Sequence, residues 1–148
     1  MPKGTWTEVR SHTTTMEYLS GLGIALAVAA FASRVGLDKD RAFYPVVLIV
    51  IASYYVLFAA MGASIAALAA EAIPVAAFVA VAIVGFKRNP WLLVMGLAAH
   101  GLFDFLHPML IQNPGVPVWW PGFCLAYDFA AAASLALRLR VRRVSDVA

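Results

Sequence analysis

The sequence has little charge and a single cysteine for its length. Of 148 residues, 11 are Lys or Arg and 8 are Asp or Glu, so 13% of the chain is charged. A soluble domain carries about a quarter charged residues, and this composition therefore excludes an ordinary soluble fold. Cys124 has no partner for an internal disulfide, and the missing CxxC pattern excludes a cysteine-based metal or redox motif. The chain also has no nucleotide-binding loop and no nucleophile motif.

Long apolar runs make up most of the chain. It is 63% hydrophobic, with a mean hydropathy of +0.83. A helix needs about 20 mostly apolar residues to cross the hydrocarbon layer, whereas barrel strands alternate over about ten. Five segments are long enough, namely residues 16–35, 42–61, 64–86, 91–111 and 122–139. The sequence therefore predicts an all-α integral membrane bundle of five transmembrane helices, forming one domain over residues 1–148 with short tails at 1–15 and 140–148.

The basic residues predict how this bundle is oriented. With five spans, nine of the 11 Lys and Arg residues fall on one side of the membrane, and Lys3 and Arg10 fall on the other. The nine are Arg34, Lys39, Arg41, Lys87, Arg88, Arg138, Arg140, Arg142 and Arg143. Because Lys and Arg accumulate on the cytoplasmic side, we expect the N-terminus outside and the C-terminus in the cytoplasm. The basic segment LRLRVRR is interpreted as a membrane anchor, and no nucleic-acid partner is expected.

The segment HGLFDFLHP places three titratable groups in the fourth predicted helix. His100, Asp104 and His107 are spaced i, i+4 and i+7, which puts them on one helix face. An ionisable side chain inside a membrane span usually faces the bundle interior. The spacing therefore predicts a polar face that points away from lipid.

Other helices contribute polar groups at a similar depth. Tyr54, Tyr55, Glu71, Asp104 and Asp128 each lie six or seven residues from the outer end of their spans, which is roughly 9–11 Å below the outer boundary. We therefore expect one polar layer in the outer half of the bundle, supplied by four helices. The two tyrosine rings point about 100° apart, so only one of them can face this layer.

The predicted layer has acids and no matching Lys or Arg. Glu71, Asp104 and Asp128 lie with His100 and His107 in the hydrocarbon zone. Each ionised group at mid-bilayer costs at least about 2.5–3.5 kcal/mol, so three unpaired carboxylates are not tolerable. Protonation, pairing with imidazolium, or a bound cation or protonated substrate would each relieve that cost. The three acids are accordingly candidates for catalytic acid, base or ligand roles.

A divalent transition metal is the candidate cofactor for this layer. Imidazole and carboxylate together suit Zn, Fe, Mn or Cu, and catalytic sites use three or four such ligands. The candidate ligands are His100, Asp104, His107 and Asp128. Because residues i and i+7 lie about 10 Å apart along a helix, His100 and His107 are not expected to share one ion.

The loop IQNPGVPVWWPG lies on the same predicted side as the polar layer. It carries three prolines and two tryptophans but no charge, so we expect a stiff segment. Two interpretations remain open: a lid over a pocket mouth, or a plain anchor with Trp119 and Trp120 in the headgroup region. Together with Tyr54, these tryptophans are the candidate residues for contact with a cofactor or ligand.

The stretches RAFYPVVLIVIASYYVLFA, HGLFDFLHP and NPGVPVWWPGFCLAYD resemble a family of small bacterial multi-pass membrane proteins, classed as a domain of unknown function. The likeness covers the second to fifth predicted helices, and WWPGFCLAYD is its most specific part. It implies a stand-alone bacterial membrane domain, and we expect the chain to lie in the inner membrane. It implies no activity, cofactor or catalytic residue.

Three function classes remain open from the sequence. The first is an intramembrane enzyme or metal-binding protein that acts on a lipophilic molecule, such as a lipid or a quinone-like compound. The second is a transporter or proton pathway, in which buried acids and histidines act as relays. The third is a structural or accessory protein, which uses small-residue helix faces to form a homo-oligomer or to bind a partner subunit among the membrane lipids.

Overall fold

The computed structural model describes residues 6–62 and 64–145, and these form five α-helices and one short 3-10 helix. The α-helices are α1 (Trp6–Val35), α2 (Phe43–Met61), α3 (Ile65–Lys87), α4 (Trp91–Leu110) and α5 (Trp120–Ser145). The 3-10 helix, Leu37–Lys39, lies between α1 and α2. Lys3, which entered the predicted charge asymmetry, lies outside the described residues.

The prediction of an all-α chain with five membrane-length helices is confirmed. Each α-helix contains a segment long and apolar enough to cross a membrane. These segments are Thr15–Val35, Phe43–Met61, Ile65–Lys87, Trp91–Leu110 and Trp120–Val141. The predicted bounds agree with them within two residues. However, α1 and α5 extend into the predicted tails, because adding a residue to an existing helix is far easier than starting a new one.

Local chemistry explains where several helices begin and end. Gly36 adopts φ 81°, a left-handed conformation that glycine reaches at little cost, and α1 ends just before it. The Asp40 carboxylate accepts a hydrogen bond from the Ala42 amide at 2.8 Å, just before α2. Ser64 caps α3, since its Oγ accepts from the Ala67 amide at 3.1 Å.

The helices pack so that α4 lies at the centre of the contacts. It contacts α5, α3 and α2, while α1 packs on α5, and α2 packs on α3. The apolar core contains Tyr44, Leu48, Ile51, Ala82, Leu93, Leu97, Ala131, Ala132 and Leu135. Large apolar side chains on the outside, such as Ile73 at 74% exposure, are expected where lipid is the solvent.

The two ends of the bundle differ in polarity. At the end that holds the 3-10 helix, called here the Asp38 end, Arg138 of α5 forms an ion pair with the buried Asp38. Ser33 of α1 donates to Asp38 Oδ2 at 2.6 Å, so the carboxylate ties α1 and α5 to the 3-10 helix. The opposite end, called the loop end, is covered by residues 112–119. There, Gly115 approaches the last turn of α2 so closely that a Cβ would overlap the Phe58 carbonyl.

Candidate functional site

The polar face predicted on α4 is present and fully buried. His100, Asp104 and His107 are each no more than 2% exposed. Gly101 lets α5 approach this face, because a Cβ at Gly101 would lie 3.1 Å from the Asp128 Cβ and 3.3 Å from the Leu125 carbonyl oxygen. The glycine thus places the Asp128 side chain beside His100.

One imidazole lies between two carboxylates at the centre of the site. His100 Nδ1 is 2.7 Å from Asp128 Oδ2 and 3.1 Å from Asp104 Oδ2. The contact with Asp128 is the shorter of the two and has the geometry of a hydrogen bond. These three side chains, called here the His100 cluster, join α4 to α5.

Tyr55 of α2 completes the surroundings of Asp104. Its hydroxyl donates to Asp104 Oδ1 at 2.6 Å, and the residue is 1% exposed. Of the two adjacent tyrosines, Tyr55 is therefore the one that faces the polar layer. The sequence carried a signal for this choice: Tyr55 is flanked on its own helix face by Ala52 and Ala59, and small residues mark the side of a helix that packs closely on others.

Glu71 of α3 lies in a second, adjacent group. Its Oε1 accepts from His107 Nε2 at 2.7 Å and from Asn113 Nδ2 at 2.9 Å. Asn113 also donates to the Tyr55 backbone carbonyl at 3.0 Å. Glu71 and His107 are called here the Glu71 pair, and Asn113 is the cap of this pair. The three residues hold residues 112–119 over the loop end of the polar layer.

Asn113 was missed as a site residue, and the sequence offers little that would identify it. It lies in the loop after α4, where its turn-forming role beside Pro114 already accounts for an asparagine. The one signal for a role in the site was the position of this loop, at the end of the bundle that carries the acids. The direction of its amide depends on how residues 112–119 fold back on α2.

The structure joins polar side chains of four helices in one contact network, and these side chains divide into two groups. The His100 cluster holds His100, Asp104 and Asp128, and the second group holds Glu71 with His107. Of the four predicted metal ligands, the structure brings His100, Asp104 and Asp128 together. It places the fourth, His107, with Glu71. Of the predicted catalytic acids, Glu71 lies apart from the two aspartates.

The His100 cluster has more acidic groups than basic ones. Two carboxyl groups face one imidazole, so with both carboxylates ionised one negative charge would remain even beside a protonated ring. Within the described residues, Asp104 Oδ2 and Asp128 Oδ1 are buried and accept no hydrogen bond, and His100 Nε2 is likewise buried without a partner. Since an uncompensated buried charge is costly, ionised carboxylates in this cluster need a proton or a cation beside their oxygens.

The geometry of the cluster suits a metal ion. One ligand atom from each of His100, Asp104 and Asp128 can be chosen so that all three lie within 4.8 Å of one another. Tetrahedral bonds of about 2.0–2.1 Å place neighbouring ligand atoms about 3.3 Å apart. The 3.1 Å pair is close to that spacing, and the 2.7 Å pair would have to open by roughly half an ångström.

The predicted ligand-contact residues lie at a different place. Tyr54 and Trp120 line an apolar groove of about 590 Å³ between α2 and α5, and their rings meet edge to face at 5.0 Å. The groove, called here the α2–α5 groove, is lined by Val46, Val50 and Tyr54 on one wall and by Trp120, Phe123 and Tyr127 on the other. Trp119 is 46% exposed and packs edge-on against Trp120 at 5.5 Å.

Comparison of the chain with protein-family models, with curated proteins and with solved structures found no match.

Proposed function

We propose that this protein binds one divalent transition metal ion inside the membrane, through His100 Nδ1 and one carboxylate oxygen each from Asp104 and Asp128. The observation that carries the proposal is the convergence of these three donors in a fully buried site. Imidazole plus carboxylate is the donor set of Zn, Mn and Fe sites, and three protein ligands leave a coordination position open. Such an ion would act as a Lewis acid when bound.

Charge balance supports an ion over an empty cluster. Two carboxylates, a neutral imidazole and a divalent cation sum to zero, which suits a site surrounded by hydrocarbon. The Tyr55 hydroxyl then has the role of an outer partner, because it holds Asp104 through Oδ1 and leaves Oδ2 free to bind the ion. Hydrogen-bonded outer partners of this kind orient metal-binding carboxylates.

We infer further that the chain lies in a bacterial inner membrane with the Asp38 end in the cytoplasm. The exposed basic residues Arg34, Arg41, Lys87 and Arg88 cluster at the turns of that end. Residues 112–119, at the opposite end, carry no charge. This arrangement follows the usual bias of Lys and Arg, and it places the His100 cluster in the outer half of the membrane.

A second candidate function is a structural polar centre that joins the helices and binds no metal. The observation that favours it is the partner given to each acid: Asp128 pairs with His100, Asp104 with Tyr55 and Glu71 with His107. In this case, a proton shared within the His100 cluster would take the place of the ion. Interhelical hydrogen bonds of this kind contribute about 0.6–2 kcal/mol each.

Metal content distinguishes the two candidates. The purified protein, incubated with Zn²⁺, Mn²⁺ or Fe²⁺ and desalted, should retain about one ion per chain by elemental analysis. Asp128→Asn should lose that ion, whereas Glu71→Gln, an equally buried acid outside the cluster, should retain it. If the metal content is no higher than in a desalted blank for all three ions, the metal proposal is wrong and the structural polar centre is the remaining candidate.

A further inference from the structure

We propose that the α2–α5 groove binds a membrane quinone, which is a neutral molecule with a flat ring, two carbonyl groups and one long hydrocarbon tail. This inference goes beyond the proposed metal site and does not depend on it. Ile51 and Cys124 line the groove and lie one helical turn before Tyr55 and Asp128. The groove therefore lies close to the polar layer.

The size of the groove suits a small molecule with a long hydrocarbon chain. Its lining follows α2 from Ala42 to Tyr54, a length of about 18 Å at 1.5 Å per residue. Its volume is about 590 Å³, which lies within the range of about 300–1,000 Å³ that is typical of small-molecule sites.

The charge of the lining selects a neutral ligand. Among the described residues that line the groove, Asp40 is the one charged side chain, and no Lys or Arg is present. An anionic headgroup would find no cation there and would meet the Asp40 carboxylate at the Asp38 end. Fatty-acid carboxylates and lipid phosphates are therefore poor candidates for the head of the ligand.

Two phenol hydroxyls offer hydrogen bonds to that head. Tyr54 on α2 and Tyr127 on α5 lie on opposite walls, and neither hydroxyl makes a hydrogen bond within the part of the chain that the structure describes. In hydrocarbon, where water is scarce, an unsatisfied donor favours a ligand that brings an acceptor. A quinone brings two carbonyl acceptors.

The walls of the groove also match the two parts of a quinone. The α5 wall is aromatic: the Trp120 and Phe123 rings lie 5.6 Å apart, and the Phe123 and Tyr127 rings stack at 6.2 Å. A flat ring packs well on such a wall, because aromatic pairs favour offset and edge contacts. The α2 wall is aliphatic along Val46 and Val50, which suits a tail.

The test is a binding titration on the full-length protein in lipid nanodiscs, with a long-tailed isoprenoid quinone as the probe and quenching of tryptophan fluorescence as the signal. Saturable quenching is expected. Val50→Phe fills the groove and should weaken binding about tenfold. Val84→Phe is the matched control and should bind normally, since Val84 lies on α3 away from the groove and is 46% exposed against 47% for Val50.

Further arms identify the occupant. The double variant Tyr54→Phe with Tyr127→Phe should bind about tenfold more weakly, because two hydrogen bonds are lost. A ring without the tail should bind more weakly than the full quinone. Quenching that never saturates, or equal affinity of the Val50→Phe and Val84→Phe variants, would overturn the proposal. Equal competition by a long-chain alcohol, which has a tail and no ring, would overturn it as well.

Discussion

The ring of Tyr55 stacks on the imidazole of His107, with 4.0 Å between the centroids and 22° between the planes. The same tyrosine donates its hydroxyl to Asp104 at 2.6 Å. One side chain of α2 therefore contacts both groups of the polar layer: the His100 cluster through its hydroxyl and the Glu71 pair through its ring. A change at Tyr55 should be felt by both groups, and a change in either group should leave the other largely intact.

Removal of the Tyr55 hydroxyl tests this link. Tyr55→Phe keeps the stacked ring but leaves Asp104 Oδ1 buried without its donor, so the free energy of unfolding should fall by about 1–3 kcal/mol. Unfolding in detergent, followed by circular dichroism, measures the change. Tyr54→Phe is the control; its side chain faces the groove, and its stability should stay close to that of the unmodified chain. Equal stability of both variants would show that the hydrogen bond from Tyr55 to Asp104 does not stabilise the fold.

The close approach of α4 and α5 at Gly101 gives a second prediction. Gly101→Ala puts a methyl group against Asp128 and the Leu125 carbonyl, so α5 must shift away, at a cost of about 1–3 kcal/mol. Metal retention should fall together with stability. Gly23→Ala is the matched control, since a Cβ there meets nothing within 4 Å. If Gly101→Ala retains as much metal as the control, the close approach of α5 at Gly101 is not needed to place Asp128 in the metal site.

The Glu71 pair should behave as a unit separate from the metal site. In a double-mutant cycle of Glu71→Gln and His107→Gln, we expect a coupling energy of about 0.5–3 kcal/mol in unfolding measurements, because the two side chains share a buried hydrogen bond. Metal content should stay at the level of the unmodified protein in all three variants. Loss of metal in His107→Gln would instead restore His107 to the ligand set.

The proposed orientation is open to a labelling test. In the background Cys124→Ala, Gln112→Cys at the loop end should react with a membrane-impermeant maleimide on intact cells. Arg88→Cys at the Asp38 end should react only after the membrane is permeabilised, since Lys and Arg favour the cytoplasmic side. The unmodified protein, whose Cys124 is buried, provides the unlabelled control. The reverse pattern would contradict the orientation, and the metal site would then lie in the inner half.

The sequence predicted the helices well because length and hydropathy decide a membrane span almost alone. The polar face of α4 was also predictable, since the spacing of His100, Asp104 and His107 follows the helical period. Which of these side chains would pair with each other was not predictable from the sequence. Whether Asp128 meets His100 or His107 depends on the offset between α4 and α5, which Gly101 helps to set. Whether Tyr54 or Tyr55 faces inward depends on the rotation of α2. The helical period alone does not fix that rotation, and the alanines on the Tyr55 face were the one signal for it.

The most direct test of the proposed function is X-ray absorption of the zinc-loaded protein. A site formed by His100, Asp104 and Asp128 predicts nitrogen and oxygen ligands at about 2.0–2.2 Å, with scattering from one imidazole ring. Asp128→Asn should abolish this spectrum, and Glu71→Gln should preserve it. A spectrum with oxygen ligands only, unchanged in Asp128→Asn, would contradict the proposal, because it would show a hydrated ion bound elsewhere on the protein.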